Sequence, residues 1–209
     1  GRGKAFSGVG GGAAFGVPSG PPVEASSFGG ADLLRGTLMW MLEKPRLYGI
    51  PASLPFLKLG ETPVHLEVPR GVPSRVQRRY AHFQLLHRSE IAAVHRERMR
   101  WWREALSDLK GVVVPELARG TTTGESPVLL RYPILVEEGA RGKLLSQLGR
   151  YGVSKSYPTT INGYTEIGSK VQFGDISGAV SVAQRVLTLP LHRYVTRSDV
   201  ARVVQEIKQ

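Results

Sequence analysis

The sequence predicts an α/β protein. Two features of its patterning carry that expectation: a run of helical periodicity over residues 74–109, and behind it apolar segments that alternate between strand-like and helix-like spacing to the C-terminus. Composition fits the same class. With 209 residues, 41% apolar and 8% aromatic, the chain has enough apolar material for one large domain or two small ones. The same fractions argue against a chain that is disordered throughout.

The elements follow in order. Residues 1–30 are rich in Gly, Pro, Ser and Ala, interrupted by Phe6, Val9, Phe15 and Val17, which suits a glycine-rich loop leading to a short buried strand near Ala13–Val17. Residues 31–48 read as a helix on Leu33, Leu34, Leu38, Met41 and Leu42, ended by Pro45. Five prolines from Pro51 to Pro73 make residues 49–72 an irregular extended crossing. Ser74 can cap the long helix of residues 74–109, whose apolar face is Val76, Tyr80, Phe83, Ile91, Val94, Trp102, Ala105 and Leu109. Its polar face holds Arg75, Arg78, Arg79, Arg88, Arg96, Arg98, Arg100 and Arg103, and Lys110-Gly111 marks its end. So long a helix is expected to kink or to span two domains. Then come a strand at Val128–Val136, a helix at Arg141–Tyr151 stopped by Gly152, a short strand at Val153–Tyr157, and a loop over 158–174. A helix at Ser177–Val186, an extended Leu187–Leu191 and a final helix at Thr196–Ile207 complete the chain, the last opened by a capping-box-like pair, Thr196 and Asp199. This second part is expected to be an α/β or α+β unit of about 100 residues.

Several chemistries drop out early. Without cysteine there is no disulfide framework, zinc–thiolate site or thiol nucleophile. The five histidines form no HExxH pattern, so no metal site is expected. The apolar cluster Thr37–Leu42 is far shorter than the ~20 residues of a membrane-spanning helix. A formal charge of +11 attracts polyanions, whether nucleic acid, anionic membrane or phosphorylated small molecules. On the long helix, however, Glu90, Glu97, Glu104 and Asp108 are interspersed among the arginines, as on a solvated, ion-paired face. Trp101-Trp102 fits core packing or a subunit seam better than a base-stacking platform. The chain opens Gly-Arg-Gly-Lys without an initiator Met, as a fragment would.

The segment Gly1–Gly12 is no P-loop, because its lysine precedes the glycines. Gly8–Ala13 fits the letters of a dinucleotide fingerprint, but Pro18, Pro21 and Pro22 stand where a helix should open. A lysine beside a glycine-rich turn has another use. Glycines let backbone approach a ligand closely, and a lysine amine of lowered pKa forms a Schiff base with an aldehyde cofactor such as pyridoxal phosphate, PLP.

Four segments in register resemble the DegT/StrS aminotransferases. Lys4 followed by Gly10-Gly11-Gly12-Ala13-Ala14 is similar to that family's cofactor-lysine segment. Leu54-Pro55-Phe56-Leu57-Lys58-Leu59-Gly60-Glu61-Thr62 resembles a run in the branch associated with polysaccharide and lipopolysaccharide assembly. Pro73-Ser74-Arg75-Val76-Gln77, continuing to Gln84-Leu85 and Arg98, looks like the start of the helix linking the family's two domains. Phe173-Gly174-Asp175 through Ala183 to Leu187-Thr188-Leu189-Pro190-Leu191-His192 resembles its closing signature.

The resemblance implies the C-terminal portion of a PLP-dependent transferase type I fold, with residues 1–73 ending the PLP-binding large domain. Residues 74–209 would then be the linking helix and a small C-terminal domain. It implies a cytoplasmic homodimer that transfers an amino group, usually from glutamate, to a keto nucleotide-sugar. Lys4 becomes the Schiff-base and proton-moving residue, Arg70 a phosphate ligand, and Tyr157, Tyr164 and His192 substrate contacts. Arg70 stands where the family has an Asn, and Arg78 and Arg79 where it has alanines, which puts the local packing in question. The pyridinium partner and most phosphate ligands of the family lie upstream of the lysine, so these 209 residues alone are not expected to be a competent enzyme. The alternatives are a non-catalytic relative of the same fold and a basic nucleic-acid-binding module.

Overall fold

A computed structural model describes residues 75–116, 127–155, 159–164 and 172–209. The expected strand at Ala13–Val17, the helix over 31–48 and the crossing over 49–72 lie outside the described residues.

The long helix is two: α1, Arg75–Leu86, and α2, Arg88–Leu106, with a turn at His87 between them. The interruption falls at His87, although helical hydrogen bonds span it: Ile91 N–H bonds the His87 carbonyl at 3.1 Å. His87 Nδ1 donates to the Phe83 carbonyl at 2.9 Å, which also receives the His87 backbone N–H at 3.2 Å. Arg88 Nη1 donates to the Leu85 carbonyl at 3.2 Å. Side chains thus share carbonyls with the backbone beside this turn. The chain divides by its internal contacts into two units, and the boundary falls within α2, at Ala92 and Ala93.

The second unit holds a three-stranded antiparallel sheet in the order β1-β2-β3. Its strands are β1, Val112–Val113; β2, Arg131–Val136; and β3, Val186–Pro190. Tyr132 pairs with Leu189 and Ile134 with Leu187. These four side chains, with Val136, are buried, while Arg131, Pro133 and Leu135 on the other face of β2 are half-buried. β3 is buried along its whole length, as its run Val-Leu-Thr-Leu-Pro without polar alternation suits. Helix α3, Ala140–Leu148, gives Leu144 and Leu148 to the core; α4, Ser177–Arg185, contacts α3 and β2. Helix α5, Arg197–Ile207, adds Val200, Val203 and Val204, one face at helical spacing.

Two prolines sit inside strands, where a missing N–H usually breaks a ladder. Here the register makes room for them. Thr188 gives both its backbone groups to Ser154 (Ser154 N–H to Thr188 O 3.1 Å, Thr188 N–H to Ser154 O 2.8 Å). Since N–H and C=O of one residue point to the same strand edge, Leu187 and Leu189 face β2, and Pro190 turns its ring nitrogen outward. Across the pair Pro133–Thr188, Pro133 likewise turns away from β3. On that side β1 reaches only Leu135 and Val136.

Some boundaries differ from expectation. The strand expected at Val128–Val136 begins at Arg131; of the strand expected at Val153–Tyr157, the described residues 153–155 hold one bridge, Ser154 to Thr188, and the rest lies outside the described residues. A ladder cannot extend from that bridge toward Gly152, because Pro190 has no N–H to exchange and Gly152 turns at φ 78°. The helix at Arg141–Tyr151 ends at Leu148 and continues as a 3₁₀ turn, Gly149–Tyr151, which Gly152 stops as expected. β1 carries no periodicity to find. Phe83, assigned to the apolar face of the long helix, is 52% exposed; the buried stripe of α2 is Ala92, His95, Met99, Trp102 and Leu106. Core packing holds for Trp102, which is fully buried and donates Nε1–H to the Pro190 carbonyl at 2.9 Å. No described helix is long and apolar enough to cross a membrane.

Candidate functional site

Of the residues singled out in the sequence, Lys4, Arg70 and Tyr157 lie outside the described residues. Tyr164 and His192 are described. Tyr164 is half-buried at the end of a 3₁₀ turn, Ile161–Gly163, and its N–H bonds the Ile161 carbonyl at 3.2 Å. His192 follows β3 in a turn closed by Val195 N–H to His192 O, 3.0 Å. Among the described residues no hydrogen bond, ion pair or ring contact joins Tyr164 to His192, and no group of His, Asp or Glu is placed to hold a metal.

His192 is presented by a well-held turn. Trp102 fixes the carbonyl two residues before it, and Arg98 Nη2 donates to the Arg193 carbonyl after it at 3.3 Å. His95, buried on α2, donates Nδ1–H to the Leu129 carbonyl at 2.8 Å, which brings α2 to the start of β2. The imidazole of His192 keeps an exposed edge, yet its pKa is lowered from the ordinary 6.5. Desolvation by the surrounding protein is the main cause, followed by the Arg131 guanidinium and His95, with Asp199 opposing. His192 is thus a neutral ring at physiological pH, a donor and acceptor of hydrogen bonds rather than a cation.

The sequence hid part of this surface. Arg98, assigned to the solvated face of the long helix, has a side chain only 13% exposed and pairs with Glu97. Its guanidinium lies 4.1 Å from the Trp101 ring centre, and that of Arg197 lies 4.9 Å from it. Trp101 is therefore already engaged by two arginines in cation–π contacts. Of the acids expected to pair along the long helix, Glu104 instead meets Arg197 of α5 at 3.6 Å; away from that helix Arg150 meets Glu206 at 2.7 Å. Arg78 and Arg79 are both exposed, so the two cations that replace small residues are solvated.

Comparison with curated proteins finds no match. Solved structures do match. A DegT DnrJ EryC1 StrS aminotransferase from Brucella abortus is 24% identical over 71% of this chain and 40% of its own, with a TM-score of 0.55. The sugar aminotransferase CalS13 from Micromonospora echinospora is 22% identical over 67% of this chain and 36% of its own, TM-score 0.54. The E coli GDP-4-keto-6-deoxy-D-mannose-3-dehydratase is 14% identical over 68% and 38%, TM-score 0.53. The chain thus spans 36–40% of the length of these proteins. At such identities the likeness carries the fold, an α/β C-terminal portion of the PLP-dependent transferase type I fold, and leaves the reaction open, since aminotransferases and a dehydratase share it. Family membership rests on sequence: the model of the DegT/DnrJ/EryC1/StrS aminotransferases matches residues 78–208, more than half of the chain, and the chain belongs to that family.

Proposed function

We propose that the chain is the C-terminal part of a PLP-dependent aminotransferase that moves an amino group, from glutamate, to a keto sugar carried on a nucleotide, for polysaccharide or lipopolysaccharide assembly. The family match over residues 78–208 carries this reading, joined by a lysine, Lys4, ahead of a Gly-Gly-Gly turn in the segment that resembles the family's cofactor lysine. PLP, when bound, supplies the electron sink that the substrate carbon needs. In this reading residues 1–73 complete the cofactor domain, and residues 74–209 are the linking helix and small domain. The Lys4 amine holds the cofactor and carries the proton, and Arg70 meets its phosphate in a homodimer. Tyr157, Tyr164 and His192 contact the sugar, for which a neutral His192 suits hydroxyl groups better than phosphate.

The test is made on the full-length protein. Borohydride reduction followed by peptide mass spectrometry is expected to find the pyridoxyl group on Lys4, and Lys4→Ala to remove the visible absorbance of the bound cofactor. Label on another lysine overturns the site. Cofactor bound at Lys4 without glutamate-dependent formation of an amino sugar points to the non-catalytic relative, and loss of sugar oxygen without amino transfer points to a dehydratase.

A further inference from the structure

Between β3 and α5 the chain turns outward for three residues, His192, Arg193 and Tyr194, all exposed, with Leu191 and Val195 buried on either side. The base of this turn is held by the Pro190 and Arg193 carbonyls, which receive bonds from Trp102 and Arg98 of α2. Within the turn Arg193 is ordered by its neighbour. Its guanidinium carbon lies 5.0 Å from the Tyr194 ring centre, and its Nη2 donates to the Tyr194 hydroxyl at 3.0 Å. The His192 ring lies 6.0 Å from that of Tyr194.

This arrangement leaves hydrogen-bond donors unused. One bond to a hydroxyl takes one of the five N–H groups of Arg193, and Tyr194, accepting it, keeps its own O–H to donate. Among the described residues no carboxylate stands within ion-pair distance of Arg193. Arg150 provides the contrast. It stacks on Tyr151 at 4.9 Å in the same adjacent-residue arrangement, but Glu206 meets its guanidinium at 2.7 Å. The charges around the turn also favour an anion. Arg131 of β2 and His95 and Arg98 of α2 all disfavour a proton on His192, and Asp199 of α5 opposes them. That carboxylate is itself engaged by the Thr196 N–H and hydroxyl. A field that resists a proton on an exposed ring attracts negative charge to the same place. A carboxylate has two oxygens, both of which the planar Arg193 fork can take. A diphosphate carries more charge and has oxygens left for the Tyr194 O–H.

We propose that Arg193 and Tyr194, beside His192, form a binding site for a diphosphate. The keto nucleotide-sugar carries one, and giving the site to that substrate rests on the function proposed above; free pyrophosphate has the same chemistry. The probe is inorganic pyrophosphate, added to the full-length protein with isotopically labelled histidine while the His192 ring is titrated by NMR. Bound anion offsets the surrounding cations, so pyrophosphate is expected to raise the His192 pKa, and by linkage to bind more tightly as pH falls. Arg193→Gln is expected to weaken pyrophosphate binding about 10-fold, and Tyr194→Phe, which keeps the ring, about 3-fold. Arg150→Gln should leave it unchanged. A His192 titration that pyrophosphate does not move overturns the site. So does an equal loss in Arg150→Gln, which would assign the binding to overall charge, or an equal response to acetate. The source of the diphosphate is read from kinetics. If it is the substrate's, Arg193→Gln raises KM for the nucleotide-sugar about 10-fold and leaves KM for the amino donor unchanged. An unmoved sugar KM with weakened pyrophosphate binding assigns the site to a free diphosphate. A protein that binds pyrophosphate through Arg193 but transfers no amino group overturns the functional reading and keeps the site.

Discussion

His192 shows how far one side chain can be set by others distant in sequence. Arg131 on β2 and His95 on α2 both disfavour its charged form, and protein around the ring removes part of its hydration. The folded-state pKa therefore lies below the ordinary 6.5, so as pH falls through that value the unfolded chain takes up a proton that the folded chain resists. Stability is expected to decline on acidification below about pH 6.5, and His192→Gln to flatten that dependence in urea titrations run at several pH values. An unchanged slope in the variant would assign the dependence to other groups. The sequence showed that His192 follows an apolar Leu-Pro-Leu run; it did not show the cations around it. Arg131 lies sixty-one positions away and His95 ninety-seven; sheet pairing brings the first near and the packing of α2 on the start of β2 the second, and no local pattern encodes either.

Elements with local signals were legible and those without were not. Thr196 accepts from the Asp199 N–H at 3.2 Å, and the Asp199 carboxylate returns a bond to the Thr196 N–H at 2.9 Å, so the reciprocal cap read from two letters is present. Thr196→Ala is expected to cost about 1 kcal/mol, seen as a lower urea midpoint with unchanged m-value. Gly111 and Gly152, read as stops, lie at φ 77° and 78°. The two-residue β1 was invisible because it is too short to alternate. Of the strand expected after Gly152, only the bridge at Ser154 falls among the described residues. The break at His87 was expected of so long a helix, but periodicity does not report its place.

At the scale of the molecule, every residue of the core cluster lies between Met99 and Val204, within the second unit. A protein of residues 93–209 is therefore expected to unfold in one cooperative step, with circular dichroism and tryptophan fluorescence giving the same midpoint. Separate midpoints would mean that this core leans on the preceding residues. The fold class was legible because alternating strands and helices need only short-range patterns. The candidate site was proposed chiefly through resemblance: Lys4 beside its glycines is an ordinary basic loop by spacing alone, and it lies outside the described residues.

The outward-turned prolines also bear on how copies of the chain meet. An exposed strand edge invites a neighbour's strand, the usual opening step of ordered aggregation. Along the edge of β2 beyond β1, Pro133 offers an incoming strand no N–H, and on the far edge of β3 Pro190 does the same beside the bridge to Ser154. Beyond the two residues of β1 on one side, and beside the single bridge on the other, the described sheet thus carries prolines that cannot donate to a ladder, which discourages strand addition at those positions.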